Sequence, residues 1–332
     1  MDLTVLWAFI IAFAVIAYVI LDGFDLGTGI LFPFLGDHKN RDVAMNSVAP
    51  IWDGNETWLI LGGGGLFAVF PLAYAIIMPA IYAPIIVMLL GLLFRGVAFE
   101  YRFKTVRGRW LWDVSFFIGS VSAAMAQGVA LGTLVQGIEI DGRAYAGGWW
   151  DWLTPFSIAT GFAVVIGYAV LGATWLVMKT EGDVARVARR QAVVLSVFML
   201  MALGGVSLWM PFLEEAFFAR WFAFPDFFYV LPVPIFTAFA AVSLFHSLLT
   251  GAEIRPFFSA LALFVLGYVG IGICFWPYII PPSVTIYQAA APESSQIFLL
   301  VGASVLIPLI LLYTAYAYWV FRGKVSEDAG YH

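Results

Sequence analysis

Two pairs of carboxylates stand beside long apolar runs, and their spacing could serve proton transfer. Asp22 and Asp25 are three residues apart in "VILDGFDLGTGIL", and Asp53 and Glu56 are three apart in "WDGNETWLILGGGG". Residues three apart share one face of a helix. A carboxylate among apolar side chains in a membrane is costly unless it is paired, hydrated or protonated. Asp22 and Asp25 are therefore candidates for a proton relay or a cation site.

Composition places these acids in a membrane protein. Of the 332 residues, 63% are hydrophobic and 11% are charged, whereas a soluble domain carries about 25% charged residues. Several apolar runs exceed the roughly 20 residues that cross a bilayer. Backbone groups in lipid must be satisfied within the chain, which favours helices. The sequence therefore predicts an all-α integral membrane protein, a single polytopic domain over residues 1–332, with no nucleic-acid partner.

Nine transmembrane helices are predicted from the apolar runs. Their spans are 4–31, 56–77, 79–101, 113–136, 155–178, 189–211, 229–249, 257–279 and 296–321. The second and third spans meet so closely, at Met78 and Pro79, that they are expected to form an antiparallel pair. With the N-terminus outside the cytoplasm, every Lys and Arg except Arg143 and Arg220 falls on the cytoplasmic side, as the positive-inside rule requires. The C-terminus and the candidate acids then lie at the cytoplasmic face.

Each acid also has a structural interpretation. The pattern Asp53-x-x-Glu56 before an apolar run resembles a capping box, and acids suit the positive end of a helix dipole. Asp22 and Asp25 could instead bond to neighbouring helix ends and loops. Because the acids near this membrane face exceed what capping requires, a hydrated cluster that accepts protons from the cytoplasm stays open beside the structural interpretations.

A basic residue, Arg95, lies inside the apolar stretch "LLFRGVAFEYR" and needs an acidic partner there. Glu100, nearby on the same predicted helix, is expected to form a structural ion pair with it. Asp22, Asp25 or Glu56 could also supply the partner. The alternative is an arginine that extends its side chain to the cytoplasmic surface.

The remaining motifs indicate packing rather than cofactor chemistry. The glycines at 62–65 are expected to bring their helix close to a neighbour. A single cysteine, Cys274, cannot build an internal disulfide, a zinc site or an iron–sulfur site. The three histidines, His38, His246 and His332, are too few for a chain that carries several haems. We therefore expect no metal and no haem in this chain.

Four segments resemble one family of membrane oxidases. They are "DGFDLGTGIL" (22–31), "APIWDGNETWLILGGGGLFAVFP" (49–71), "FRGVAFEYR" (94–102) and "ILLYTAYAYWVFRGKV" (310–325). Each is similar to a segment of subunit II of the cytochrome bd quinol oxidases, and the resemblance spans nearly the whole chain. The compact length resembles that of the short, cyanide-insensitive branch.

The resemblance implies a fold and a reaction. The fold would be two four-helix bundles, at 1–136 and 155–279, plus a peripheral helix at 296–321. The chain would be the haem-free partner of a subunit I that carries two b-type haems and one d-type haem. That heterodimer takes electrons from a membrane quinol and protons from the cytoplasm to reduce O2 to water, in the bacterial inner membrane. Some members hold a structural quinone in subunit II, and a small accessory subunit could also bind.

The resemblance also implies site residues. Asp53 matches the Asp of the family's Trp-Asp-Gly-Asn motif, which lies on a proposed proton path toward the d haem. Asp22 and Asp25 match the family's Asp-Gly-Phe-Asp motif near the same proton entrance. Glu56 stands where some relatives carry Gln, so the resemblance does not imply an obligatory role for it.

Two functions of other classes compete with this one. A secondary transporter could use the same acids to couple H+ or Na+, but it would favour broken helices at the bilayer midplane, whereas these acids cluster at one face. An assembly scaffold would have no proton role. On that hypothesis Asp53→Asn would leave turnover of the complex intact.

Overall fold

The structure is a computed structural model that describes residues 2–325, and helices form almost all of it. In chain order the helices are α1 (Leu3–Leu31), α2 (His38–Val48), α3 (Trp52–Val69), α4 (Pro71–Ala80), α5 (Tyr82–Arg102), α6 (Arg109–Gln136), α7 (Pro155–Lys179), α8 (Gly182–Trp209), α9 (Glu215–Phe222), α10 (Asp226–Val230), α11 (Pro232–Leu249), α12 (Arg255–Phe275), α13 (Ile286–Ala289) and α14 (Glu293–Val320). Two antiparallel hairpins pair β1 (Ile140–Asp141) with β2 (Ala144–Tyr145) and β3 (Tyr278–Ile280) with β4 (Val284–Thr285). His332 lies outside the described residues.

Eight helical segments of the described chain are long and apolar enough to cross a membrane. They contain α1, α5, α6, α7, α8, α11, α12 and α14. The prediction of an all-α integral membrane protein is confirmed. The count of nine helices stays a prediction, because α3 has 18 residues but includes two acids and five glycines that make it less apolar. The orientation also stays a prediction.

The predicted second span (56–77) is wrong at its C-terminal end. α3 ends at Val69, because Phe70 leaves helical geometry (φ −123°, ψ 61°) and Pro71 begins the next helix. Proline is favoured at the first position of a helix, where its missing N–H is not needed. The predicted junction at Met78 and Pro79 instead lies inside α4.

α4 leads directly into α5, and together they run antiparallel to α3. The Ile81 N–H donates to the Ile77 carbonyl oxygen, and the Ile85 N–H donates to that of Ile81, so helical hydrogen bonding continues across the boundary. The Trp52 ring at the start of α3 stacks on Phe99 near the end of α5, with centroids 4.8 Å apart. The predicted antiparallel pair is present, with its turn moved to the α3–α4 junction.

α1 is the central helix of this arrangement and packs against α3, α6 and α7. Its contact with α7 is backbone to backbone: a Cβ added at Gly27 would overlap the carbonyl oxygen of Tyr168, and one at Gly172 would overlap the backbone of Gly27. Gly91 of α5 and Gly119 of α6 make a similar crossing. Small residues allow such close approach between helices in a membrane.

The glycines at 62–65 serve packing only in part. A Cβ at Gly62 would lie 3.4 Å from Val15, and one at Gly65 would lie 3.1 Å from Ile11, so these two face α1. A Cβ at Gly63 or Gly64 would meet no atom of the described chain within 4 Å. The prediction of a packing surface is therefore confirmed for the outer pair and wrong, within this chain, for the inner pair.

A network of ion pairs ties α2 to α5 and α6. Arg102 is fully buried. Its Nε lies 2.5 Å from Asp113 Oδ1, and its Nη1 lies 2.6 Å from Asp42 Oδ1. Arg109 lies 2.5 Å from the same Asp42, and Arg41 lies 3.0 Å from Asp113. Each acid thus joins two arginines, which fixes the loop side of α5 and α6 relative to α2.

A methyl group at Gly27 is expected to destabilise the protein, because it must push α7 away from α1. Overpacking typically costs about 1–3 kcal/mol, and a clash with backbone leaves no side chain to give way. Gly27→Ala should therefore lower the thermal unfolding midpoint of the purified protein. Gly267→Ala is the matched control, since its Cβ would lie 3.8 Å from Leu203, in ordinary contact. Equal midpoints for the two variants would contradict the α1–α7 crossing.

Candidate functional site

α1 carries two carboxylates into the protein interior. Asp22 is 1% exposed and Asp25 is 0% exposed. The helix continues to Leu31, so both acids lie well inside it, about two turns or more before its end. Asp25 stands two residues before the Gly27 crossing, where α7 closes over this face of α1. The structure thus places both residues within the apolar interior, as their sequence setting predicts.

Arg95 of α5 meets these acids from a second helix. Its side chain is 0% exposed, and its Nη1 donates to Asp22 Oδ1 at 2.6 Å. Its Nη2 lies 3.9 Å from Glu56 Oε2 of α3, and the guanidinium carbon stands 5.7 Å from the ring centre of Trp52. α1, α3 and α5 therefore converge on one guanidinium. The alternative of a surface-reaching arginine is wrong.

The predicted ion pair between Arg95 and Glu100 is also wrong. Glu100 is exposed, and its carboxylate lies 3.3 Å from Lys104. Five residues along an α-helix turn the side chain by about 140°, so Arg95 and Glu100 do not share a face. The acids that the structure brings to Arg95 are Asp22 and Glu56, which the sequence offers only as further candidates.

Asn55 of α3 is a site residue that sequence reasoning misses. It is 1% exposed. Its Nδ2 donates to Asp25 Oδ2 at 2.7 Å and to the Leu21 carbonyl oxygen at 3.3 Å. Its Oδ1 accepts a hydrogen bond from the Tyr318 hydroxyl of α14 at 2.9 Å. A neutral amide carries no charge that would mark it, and its place two residues after Asp53 is the signal that could have found it.

Asp53 and Glu56 do not form the capping box that their spacing permits. Ile51 is the N-cap of α3, and no side chain caps the first turn. Glu56 is turned toward Arg95, with its side chain 29% exposed. Asp53 is exposed on the surface of α3, on the face that it shares with Glu56. Asp53 is thus the one predicted acid that lies outside the buried group.

A chain of neutral polar groups continues from Asp22 into the protein. Tyr18 precedes Asp22 by one turn on α1 and so lies on the same face. Gln127 of α6 donates through Nε2 to the Tyr18 hydroxyl at 2.8 Å. The Tyr168 hydroxyl of α7 donates in turn to Gln127 Oε1 at 2.6 Å. Hydroxyls, together with water, are groups through which protons move in enzymes.

We call Asp22, Asp25, Glu56 and Arg95 the acid cluster. It sets three carboxylates against one guanidinium. Within the described chain its atoms without a hydrogen-bond partner are Asp22 Oδ2, Asp25 Oδ1, Glu56 Oε2, Arg95 Nε and Arg95 Nη2. A buried polar atom without a partner costs about 1–3 kcal/mol, and ordered water commonly satisfies such atoms. The cluster has the groups needed to hold protons and to pass them between carboxylates.

The described histidines and acids do not form a metal site. In residues 2–325, no group of three or more His, Cys, Asp and Glu side chains is placed to hold a metal ion. His38 is exposed, and its Nδ1 lies 3.9 Å from Asp113. His246 is also exposed.

Known proteins resemble this chain over almost its full length. The family model for cytochrome bd terminal oxidase subunit II matches residues 3–321. Cytochrome bd-I ubiquinol oxidase subunit 2 of Escherichia coli strain K12 is 30% identical, over 97% of this chain and 95% of the relative. Cytochrome bd ubiquinol oxidase subunit 2 of Bacillus subtilis strain 168 is 29% identical, over 97% of this chain and 96% of the relative.

A solved structure shares the fold. One chain from the structure of bd oxidase from Geobacillus thermodenitrificans matches with a TM-score of 0.74 at 11% identity, covering 97% of this chain and 98% of that chain. The shared fold and the nearly complete match to the family model agree with the motifs at 22–31 and 49–71. This chain therefore belongs to the cytochrome bd terminal oxidase subunit II family and is a subunit of a respiratory quinol oxidase.

Proposed function

We propose that this chain is the haem-free subunit II of a quinol:oxygen oxidoreductase of the bacterial inner membrane. It packs on a subunit I that carries two b-type haems and one d-type haem, helps to assemble that subunit, and supplies part of the path for cytoplasmic protons to reach O2. Two relatives are named as ubiquinol oxidase subunits, which supports a quinol as the electron donor. The observation that carries the proton role is the acid cluster, in which buried carboxylates outnumber their cationic partner.

Contacts between loops support the proposed orientation. Lys324, which follows α14, lies 2.9 Å from Glu253 and 3.5 Å from Glu181. Arg189 of α8 donates to the Leu248 carbonyl oxygen at 3.1 Å. The α7–α8 loop, the α11–α12 loop and the segment after α14 thus meet at one end, rich in basic residues, as expected of a cytoplasmic face. Counting α3 as one crossing and the joined α4–α5 as another gives nine crossings.

The proposed path begins in the acid cluster and leaves through Asp53. Asp22 and Asp25 receive protons from the cytoplasm, and Arg95 links Asp22 to Glu56. Glu56 shares a face of α3 with Asp53. Asp53 is exposed in the first turn of α3, and we expect subunit I to contact it there and take the proton.

The remaining surfaces suit a membrane subunit with a partner. Gln296 is the buried residue of α14, which supports a peripheral helix beside two four-helix bundles formed by α1–α6 and α7–α12. An apolar cavity of about 390 Å³ opens between α5, α6 and the segment before α7. It could take the tail of a structural quinone or a lipid. A small accessory subunit and membership of the cyanide-insensitive branch stay predictions.

Expression with and without subunit I tests the assembly role. The chain expressed alone should purify without haem absorption, because its described histidines lack a buried setting. The two subunits expressed together should give a complex with haem absorption that consumes O2 when quinol is supplied. A chain that alone binds haem, or alone drives the uptake of a substrate, would contradict the proposal.

Loss of the proton-carrying groups should slow the reaction without disturbing assembly. Asp25→Asn and Asp53→Asn should lower turnover by about tenfold or more at normal haem content, because an amide cannot carry the proton. Glu100→Gln is the control, since Glu100 is an exposed acid on α5 outside the acid cluster. The measurement is O2 consumption at saturating quinol per haem. Full activity in both aspartate variants would leave an assembly scaffold as the function.

A further inference from the structure

Asn55 and Tyr318 connect the acid cluster to the peripheral helix α14. The Tyr318 hydroxyl donates to Asn55 Oδ1 at 2.9 Å. Because an amide has one accepting and one donating end, this bond turns Nδ2 of Asn55 toward Asp25, where it donates to Oδ2 at 2.7 Å. The second oxygen of Asp25, Oδ1, has no hydrogen-bond partner within residues 2–325. The arrangement holds one carboxylate oxygen and leaves the other buried without a partner.

A small cleft lies between α3 and α14 beside this pair. Its volume is about 10 Å³, which is room for about one water molecule. Gly54 and Ala317 form parts of its two walls, and their small size leaves the gap. Asn55, Thr314 and Tyr318 also line it and offer the polar partners that a bound water requires.

α14 is clamped at the end nearest this cleft. Lys179 of α7 donates through Nζ to the carbonyl oxygens of Phe321 and Gly323, the latter at 2.6 Å. The Val325 N–H donates back to the Lys179 carbonyl oxygen at 2.8 Å. These bonds hold the C-terminal end of α14 against α7.

We propose that the α3–α14 cleft is the port through which water-borne protons reach Asp25, and that Asn55 and Tyr318 are the positioning residues of this port. The inference rests on the proposed proton role of the acid cluster. A hydronium ion that enters the cleft gives its proton to the unpartnered oxygen of Asp25 and leaves as water. Asp25 later passes a proton toward Asp22 and Glu56. Asn55 keeps the carboxylate oriented throughout, and Tyr318 keeps Asn55 oriented.

Filling the cleft tests the port without touching any hydrogen bond of the site. In the intact complex, Ala317→Leu should lower the turnover number by about fivefold or more, with the KM for quinol and the haem content unchanged, because proton supply limits the rate. Ala315→Leu is the matched control, as Ala315 is exposed on the same helix two residues away, and it should keep full turnover. Equal turnover in the two variants would overturn the port.

Removing the Tyr318 hydroxyl tests the positioning role. This variant also tests the port if the complex with Ala317→Leu does not assemble. Tyr318→Phe should lower turnover by about threefold or more at unchanged KM, and it should raise the ratio of rates in H2O and D2O. Tyr316→Phe, the same change at a residue 64% exposed on the same helix, should alter neither. Normal turnover in Tyr318→Phe would overturn the role of the pair.

The variants of Asp25 separate failure of the port from failure of the proton role. Slow Asp25→Asn combined with fast Ala317→Leu and Tyr318→Phe would remove the port, keep the proton role and leave the partly exposed side of Glu56 as the uptake point. Fast Asp25→Asn would overturn both. Slow turnover in all three variants, with normal haem content and normal controls, is the result that the port predicts.

Discussion

The contact between Arg95 and Asp22 is the interaction on which the site depends. Both side chains are within 1% of complete burial and their charged atoms lie 2.6 Å apart. Removing one partner of such a pair leaves an uncompensated charge, which costs about 3–5 kcal/mol. The pair therefore fixes α5 against α1. It also sets where Glu56 and Trp52 of α3 must stand, since both contact the same guanidinium.

Close helix crossings hold Arg95 and Asp22 at hydrogen-bonding distance. Gly91 and Gly119 bring α5 and α6 together about one turn from Arg95. A Cβ added at Gly119 would lie 3.1 Å from the backbone nitrogen of Arg95. Gly27 and Gly172 close α7 over the buried face of α1. At these crossings the backbones touch, so no side chain fits between them. The acid cluster, in contrast, has oxygen and nitrogen atoms without partners, which ordered water commonly satisfies. A charged centre with unpartnered polar atoms is thus enclosed by tightly packed helix crossings.

Sequence reasoning finds the charged members of the site and most of the helices. Asp22, Asp25 and Arg95 can be predicted because a charge inside an apolar run is costly wherever it lies. The break at Phe70 is marked in the sequence only by Pro71. Because the apolar run continues to a second proline, Pro79, the run alone does not say at which proline the chain turns. The sequence also does not show which polar residues contact each other, because the partners are far apart in the chain. Arg95 and Asp22 are 73 positions apart, and Tyr318 and Asn55 are 263 apart. A neutral polar residue such as Asn55 costs less than a charge when it is buried, so it stands out less in an apolar run.

The most direct test of this account is a double-mutant cycle on the central pair, read as both thermal stability and turnover. Asp22→Leu and Arg95→Leu alone should each destabilise the complex by about 3–5 kcal/mol. Asp22→Leu combined with Arg95→Leu should destabilise the complex by less than the sum of the two single effects, because neither member of the 2.6 Å pair is left facing an empty position, and it should stay slow in O2 reduction. A double variant that loses the sum of the two single effects, or that turns over at the normal rate, would contradict the account.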